Sequence, residues 1–399
     1  MAPRNFVRPQ LRPWLILLGI WLVTVFCDRV WWGLDHQVPA WDQADYLNGA
    51  LNYWRALQTP DWFNSDWWRE FWLLSTKIPP LNYILTALTC FADGTLTLDR
   101  ATWLFAFYSG ALFVAIFELG TLLFSSRVGL WAAAFCALMP GLVRYRLDYV
   151  LDFPVTAGII VSFAVFTCLH LRTRNEKGMG GSSWLWALVW GISFGLALLI
   201  KQTAVLFLLG PMLGFLRPWR WRKLGQLLLG LFVTATLAYP WFRTNWLLVL
   251  TGSKRATIDS AIAEGDPSLL SLDAWTYYLK VLSMAIAWPI WIFVGLSLLW
   301  FAWRYRAQLK ISSLKNFTYQ WRWLSLFLLS GYFLSSLNIN KDPRYVLPLL
   351  PIVCLVLARA WVAVCDHNSW LRRLSFVALG LTSVLWLSGS FPLGNPEIA

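Results

Sequence analysis

Asp42 and Asp45 stand one helical turn apart in "WDQADYLNGA", and carboxylates spaced this way share one face of a helix. A carboxylate held there can take a proton from a hydroxyl as a general base. The other reading is a helix opening, where acidic charge suits the exposed N–H groups. A second acidic pair, Asp148 and Asp152, lies in "RYRLDYVLDFP" beside Arg144 and Arg146. An ion-paired turn and a functional cluster are both open for it. Cations follow at the ends of apolar runs: Lys77, Lys201, Arg243, and Lys341 with Arg344. Snorkelling explains any one of them. Several converging on one side would suit an anionic headgroup, phosphate above all, since Arg offers a fork and Lys a point charge.

The elements that must position these residues are apolar. The chain has 399 residues, of which 58% are hydrophobic and 13% charged, whereas a soluble domain carries roughly a quarter charged residues. Crossing a hydrocarbon core of ~30 Å takes ~20 helical residues, and runs of that kind recur near 13–31, 100–124, 127–143, 152–171, 184–200, 203–216, 224–246, 277–302, 323–337, 344–362 and 374–391. The expectation is an all-α polytopic membrane protein with about eleven spans. "CDRVWW" after the first run offers no small-residue cleavage site, so that run is read as a retained span. The net charge of +13 is not a nucleic-acid footprint. With Arg4, Arg8 and Arg12 inside, the basic loops "LRTRNEKGMGG", "RPWRWRK", "RYRAQLKISSLKNFTYQWR" and "SWLRR" all fall on the cytoplasmic side, and most acids fall opposite. That bias sets orientation.

One extracytoplasmic loop, about 28–100, is too long for a simple connector. It is crowded with Trp, and its stretches Trp67–Leu74 and Pro80–Phe91 read as short interfacial helices. Indole anchoring at the interface and stacking on a sugar ring are both open for those Trp. The six Cys read as buried small hydrophobes without metal spacing, with one disulfide between Cys27 and Cys90 conceivable. His36, His170 and His367 are scattered.

On these residues the chain resembles the GT-C superfamily, in the branch of protein O-mannosyltransferases, aminoarabinose transferases and RgtA/B-like glycosyltransferases. "WDQADYLNGA" matches an acidic first-loop motif, with Asp42 in the Asp place, Gln43 where Glu is usual and Tyr46 as the following Tyr. "KIPPLNY" matches a Pro-Pro-Leu-x-Tyr element with Tyr83; Ile78 separates Lys77 from the prolines, where Lys is commonly adjacent. "RYRLDYVLDFP" resembles an Arg-x-Leu-Asp segment entering a span, Asp152 being the better match. "GLALLIKQTA" and "RYVLPLLP" point to Lys201 and Arg344.

The resemblance implies a GT-C fold over 1–391 and an inverting transferase using a polyprenyl-phosphate-linked sugar. Asp42 would be the base and Asp152 a second catalytic carboxylate. Asp45, Tyr46, Lys77, Tyr83, Arg146, Asp148, Lys201, Arg243 and Arg344 would bind substrate. No cofactor is required by such a mechanism. The oligosaccharyltransferase branch uses a divalent cation, which Asp42 with Asp152 could hold, although Asp-x-Asp is absent. The expected partners are the lipid-linked donor, a lipid, glycan or protein acceptor, and the membrane, with no nucleic acid. The expected location is a bacterial inner (plasma) membrane with the site extracytoplasmic. "PLGNPEIA" at 392–399 is read as a short tail in place of the soluble domain many relatives carry. The alternatives are a transporter or flippase of lipid-linked saccharides, and a non-catalytic relative.

Overall fold

A computed structural model describes residues 11–35, 37–89, 96–175, 182–304, 319–367 and 369–387. The 392–399 tail, His36 and Cys90 lie outside them, and so do parts of two basic loops. Among the described residues every element is helical. The first apolar run forms α1 (Leu11–Leu34), with Leu15, Leu18, Leu22 and Phe26 exposed on a surface suited to lipid. The long loop after it carries α2 (Asp42–Ala56), α3 (Ser65–Leu73) and α4 (Leu81–Leu88), so both expected interfacial helices form. Asn64 caps α3 by accepting the Asp66 N–H at 2.9 Å. The loop is tied down by the later helix Trp221–Lys254: the Trp241 indole donates to Ser75 O at 2.7 Å and the Asn245 amide to Trp72 O at 2.9 Å.

A short α5 (Leu98–Ala101) leads into α6 (Trp103–Leu123), followed by α7 (Ser126–Leu138), α8 (Pro140–Arg146) and α9 (Asp152–Asn175). Next come α10 (Ser182–Ile200), α11 (Val205–Phe215), α12 (Trp221–Lys254) and α13 (Ser260–Glu264). The chain continues through α14 (Leu272–Ala285), α15 (Trp288–Arg304), α16 (Tyr319–Ser336), α17 (Leu350–His367) and α18 (Ser369–Leu387). Helix α9 is the axis of the bundle: Ala157, Ile159, Ile160, Phe163 and Phe166 are fully buried, packed between α6 and α10. Small residues let helices approach closely where lipid gives no hydrophobic drive between them. At the α10–α12 contact a Cβ on Gly191 would lie 2.4 Å from Gly230 O.

Within the described residues, each of the eleven expected spans is helical, but they are not alike. Six helices are long and apolar enough to cross a membrane, or eight spans when two bent pairs are each taken as one. The others are α11, α16 and α18. At ~1.5 Å per residue, α11 covers only about half of a ~30 Å core. Polar residues near the starts of the other two, Gln320 with Arg322 and Arg372 with Arg373, dilute their apolar character. The bent pairs are α7–α8, at 61°, and α14–α15, at 102°. These two bends meet. The Ala287 N–H points at Met139 Sδ, 3.2 Å away, and a Cβ on Gly141 would lie 2.7 Å from Ala285 Cβ.

Candidate active site

Helix α2 begins at Asp42, directly after Trp41, whose backbone has φ 49° and ψ −123° and whose side chain caps nothing. A bulky residue at positive φ is strained, and such strain persists only where surroundings enforce it. The sharp entry puts Asp42 in the first turn with its carboxylate half-exposed. Its Oδ2 accepts from Arg344 Nη1 at 2.7 Å. Arg344 is in turn held by Asp342, which accepts from its Nε at 2.8 Å and from its backbone N–H at 2.9 Å. Asp342 thereby also caps the 3₁₀ segment Pro343–Leu349. Burial alone would raise the Asp342 carboxyl, but the hydrogen bonds and charge of Arg344 outweigh it and hold its pKa below the usual value.

The second carboxylate, Asp152, starts α9 and is 2% exposed. Lys201 Nζ donates to its Oδ1 at 2.7 Å, while its buried Oδ2 has no partner among the described residues. Lys201 reaches it because α10 stops at Ile200 and Lys201 itself is extended, at φ −157°, before the chain re-enters helix. Tyr46 joins the two pairs. Burial, then the Asp42 and Asp152 carboxylates, push its hydroxyl pKa up, so it stays a proton donor. Its ring centroid lies 6.0 Å from that of Tyr83, which stacks on Tyr53. Gln43 donates its amide to Asp148. A carboxamide can make that bond, whereas a glutamate would set two carboxylates against each other. Burial raises the Asp148 pKa, with the Gln43 bond and Arg144 pulling it back.

The remaining expected residues are placed elsewhere. Lys77 is exposed and lines a cleft of about 540 Å³ with Arg255, Thr76, Thr251 and Ser260. Arg146 is 4% exposed and spends its guanidinium on Asp28, at 2.7 and 3.1 Å, away from the cluster. Arg243 is exposed on α12, with its guanidinium 5.9 Å from the Tyr239 ring of the same helix. Asp45 is exposed in the first turn of α2. Lys341 is buried and donates to the Ser336 and Asn338 carbonyls. Two residues escaped sequence reasoning. Asp342 could have been found from Asp-Pro, a common helix-start pattern. Arg255 sits in no motif.

A divalent cation fits poorly here. Asp42 and Asp152 already hold Arg344 and Lys201, and among the described residues no three His, Cys, Asp or Glu side chains gather as a ligand set.

No protein-family model and no curated protein matches the sequence. Solved structures do match in fold. ArnT from Cupriavidus metallidurans bound to undecaprenyl phosphate superposes with a TM-score of 0.63 at 16% identity, over 97% of this chain and 66% of that one. Its apo state gives 0.61 at 16% identity, over 98% and 66%. The archaeal oligosaccharyltransferase AglB from Archaeoglobus fulgidus, in complex with an inhibitory peptide and a dolichol-phosphate, gives 0.61 at 12% identity, over 96% and 55%. The chain thus spans just under two thirds of ArnT and a little over half of AglB.

Proposed function

We propose, from the GT-C fold that the chain shares with these two transferases, that it is an inverting glycosyltransferase. It moves a sugar from a polyprenyl-phosphate donor to an acceptor hydroxyl at the extracytoplasmic membrane–water interface, with Asp42 as the base. The observation that carries this reading is the state of Asp42, which is half-exposed, with one oxygen fixed by Arg344 and the other without a partner among the described residues. A carboxylate fixed through one oxygen and open at the other is oriented for proton abstraction. The acceptor oxygen forms its bond to the anomeric carbon as the carbon–oxygen bond to phosphate breaks. The acceptor proton passes to Asp42 Oδ1, and the polyprenyl phosphate leaves as a stable anion.

Lys77 and Arg255 supply the charge for that anion. Both line one cleft with three hydroxyls, and neither has an ion-pair partner among the described residues, so their charge is available to a phosphate. Lys201 and Arg344 are already engaged with carboxylates, and their part is to fix Asp152 and Asp42. Asp152 Oδ2, buried and without a partner among the described residues, would accept from a sugar hydroxyl that displaces the groups covering it.

Asp42→Asn keeps the shape and removes the base. Turnover of a radiolabelled polyprenyl-phosphate sugar is expected to fall by about 10²–10⁴-fold with an unchanged melting profile, and near-normal turnover would falsify the assignment. Because the carboxylates already carry cationic partners, transfer is also expected to survive EDTA at full rate. Loss restored by Mg²⁺ or Mn²⁺ would replace this scheme with a metal-dependent one.

A further inference from the structure

A second cleft, of about 300 Å³, opens between the C-terminal end of α1 and the start of α5. Trp32, Asp35, Gln37, Pro39, Thr97 and Asp99 line it. Its chemistry is opposite to that of the Lys77–Arg255 cleft. It offers two carboxylates, neither of which is ion-paired among the described residues, with a carboxamide and a hydroxyl beside them. Asp35 Oδ1 accepts the Gln37 backbone N–H at 3.0 Å, which fixes the rim. The independent sign of a ligand is Trp32. Its side chain lines the cleft at 5% exposure, yet among the described residues its buried indole N–H has no partner. A buried donor left unmade costs about 1–3 kcal/mol, a cost that a ligand hydroxyl relieves once the ring turns its N–H, closed to solvent here, towards the cleft.

The cleft is also joined to the base by a short stretch of chain. Pro39 is three residues from Asp42, and at no more than ~3.6 Å per residue the two lie within roughly 11 Å. We propose that this cleft is the acceptor subsite, and that it takes a polyhydroxylated group that is neutral or cationic. Carboxylates accept from vicinal hydroxyls or an ammonium, the indole N–H and the Gln37 amide donate, and an anionic acceptor would meet Asp35 and Asp99 with like charge. The donor's phosphate goes to the cationic cleft and the acceptor to the acidic one. The charge difference therefore sorts the two substrates. This assignment rests on the transferase reading for its role, but the binding itself does not.

The test is ligand-observed NMR on the full chain in nanodiscs, with methyl glucoside, glucosamine and glucuronate as probes. Glucosamine and methyl glucoside are expected to bind at least about tenfold more tightly than glucuronate. Asp35→Asn with Asp99→Asn is expected to abolish that preference, and Trp32→Phe, which keeps an aromatic ring but loses the N–H together with part of the indole's bulk, to weaken methyl glucoside several-fold. Equal binding of the three probes, or a preference that survives the double variant, overturns the proposal. Saturation with a polyprenyl-phosphate glucose is expected to leave the methyl glucoside signal in place; its loss would put the donor's own sugar in the cleft and overturn the acceptor role. Asp42→Asn separates the two readings, because it should leave probe binding unchanged and abolish transfer. A selective cleft in a protein whose transfer ignores Asp42 would refute the mechanism and spare the site.

Discussion

Arg344 holds two carboxylates at once, and this decides how Asp42 is presented. Asp342 takes the inner edge of the guanidinium and leaves Nη1 for Asp42. Asp342→Asn keeps the size of the side chain and removes half of the charge that orients the fork. The sign of its pH dependence follows from the depressed folded pKa. Its stabilising contribution is complete above the ordinary aspartate value of ~3.9 and is lost as pH falls from there through the lower folded value. The melting temperature of the variant is therefore expected to lie below that of the parent at pH 7, with the gap closing below about pH 4. A gap that stays constant to pH 2 would mean that Asp342 acts through packing alone. Gln43 belongs to the same scale. It stands where a glutamate was expected from the resemblance, and its bond to Asp148 shows why an amide is tolerated there.

At the scale of elements, the candidate site's side chains sit where regular helix stops. Asp42 follows the Trp41 kink, Lys201 fills the break between α10 and α11, Asp152 opens α9, and Arg344 rides on a 3₁₀ segment. Irregular backbone at membrane depth is tolerated where it is buried in protein or lines a polar cavity. The bend between α7 and α8 has the same use, since it delivers the 147–151 turn and then Asp152. Gly141 keeps that bend closed against Ala285. Gly141→Leu is expected to cost about 1–3 kcal/mol through overpacking and to lower turnover by more than the stability loss explains. Thermal melting paired with transfer rates checks this: a variant that melts early yet turns over normally at low temperature would uncouple the bend from the site. The buried Arg146–Asp28 pair ties α8 to α1. Truncating one partner of such a pair typically costs about 3–5 kcal/mol, which makes Arg146 a fastening for the outermost helix.

Over the whole molecule, the two ends of the bundle differ in charge and in task. The acidic cluster and both clefts lie at one end, and the Arg127–Asp366 pair and the basic stretches 217–223 and 369–373 at the other. Orientation is open to direct test. In a background lacking Cys27, Val38→Cys is expected to react with a membrane-impermeant maleimide in intact cells, and Trp219→Cys only after lysis. Both positions are exposed. The reverse pattern would put the candidate site in the cytoplasm.

The membrane class and the segments that become helices, α3 and α4 among them, follow from sequence, because hydropathy and local spacing are one-dimensional properties; the Asp42, Asp152, Lys201 and Arg344 motifs stood out only through the resemblance. Pairing is not a one-dimensional property. Asp42 and Arg344 are 302 residues apart, and Asp152 and Lys201 are 49 apart; no local pattern says which carboxylate meets which cation. Arg146 and Asp148, two residues apart, face different partners for the same reason. The segregation of cations and carboxylates into two clefts was likewise invisible, since each cleft is assembled from helix ends and connections distant in the chain. The sequence determined that this protein spans a membrane as helices and which polar residues it keeps at their ends. Only the tertiary packing of broken helices decided which of those charges are paired with one another and which remain available to a substrate.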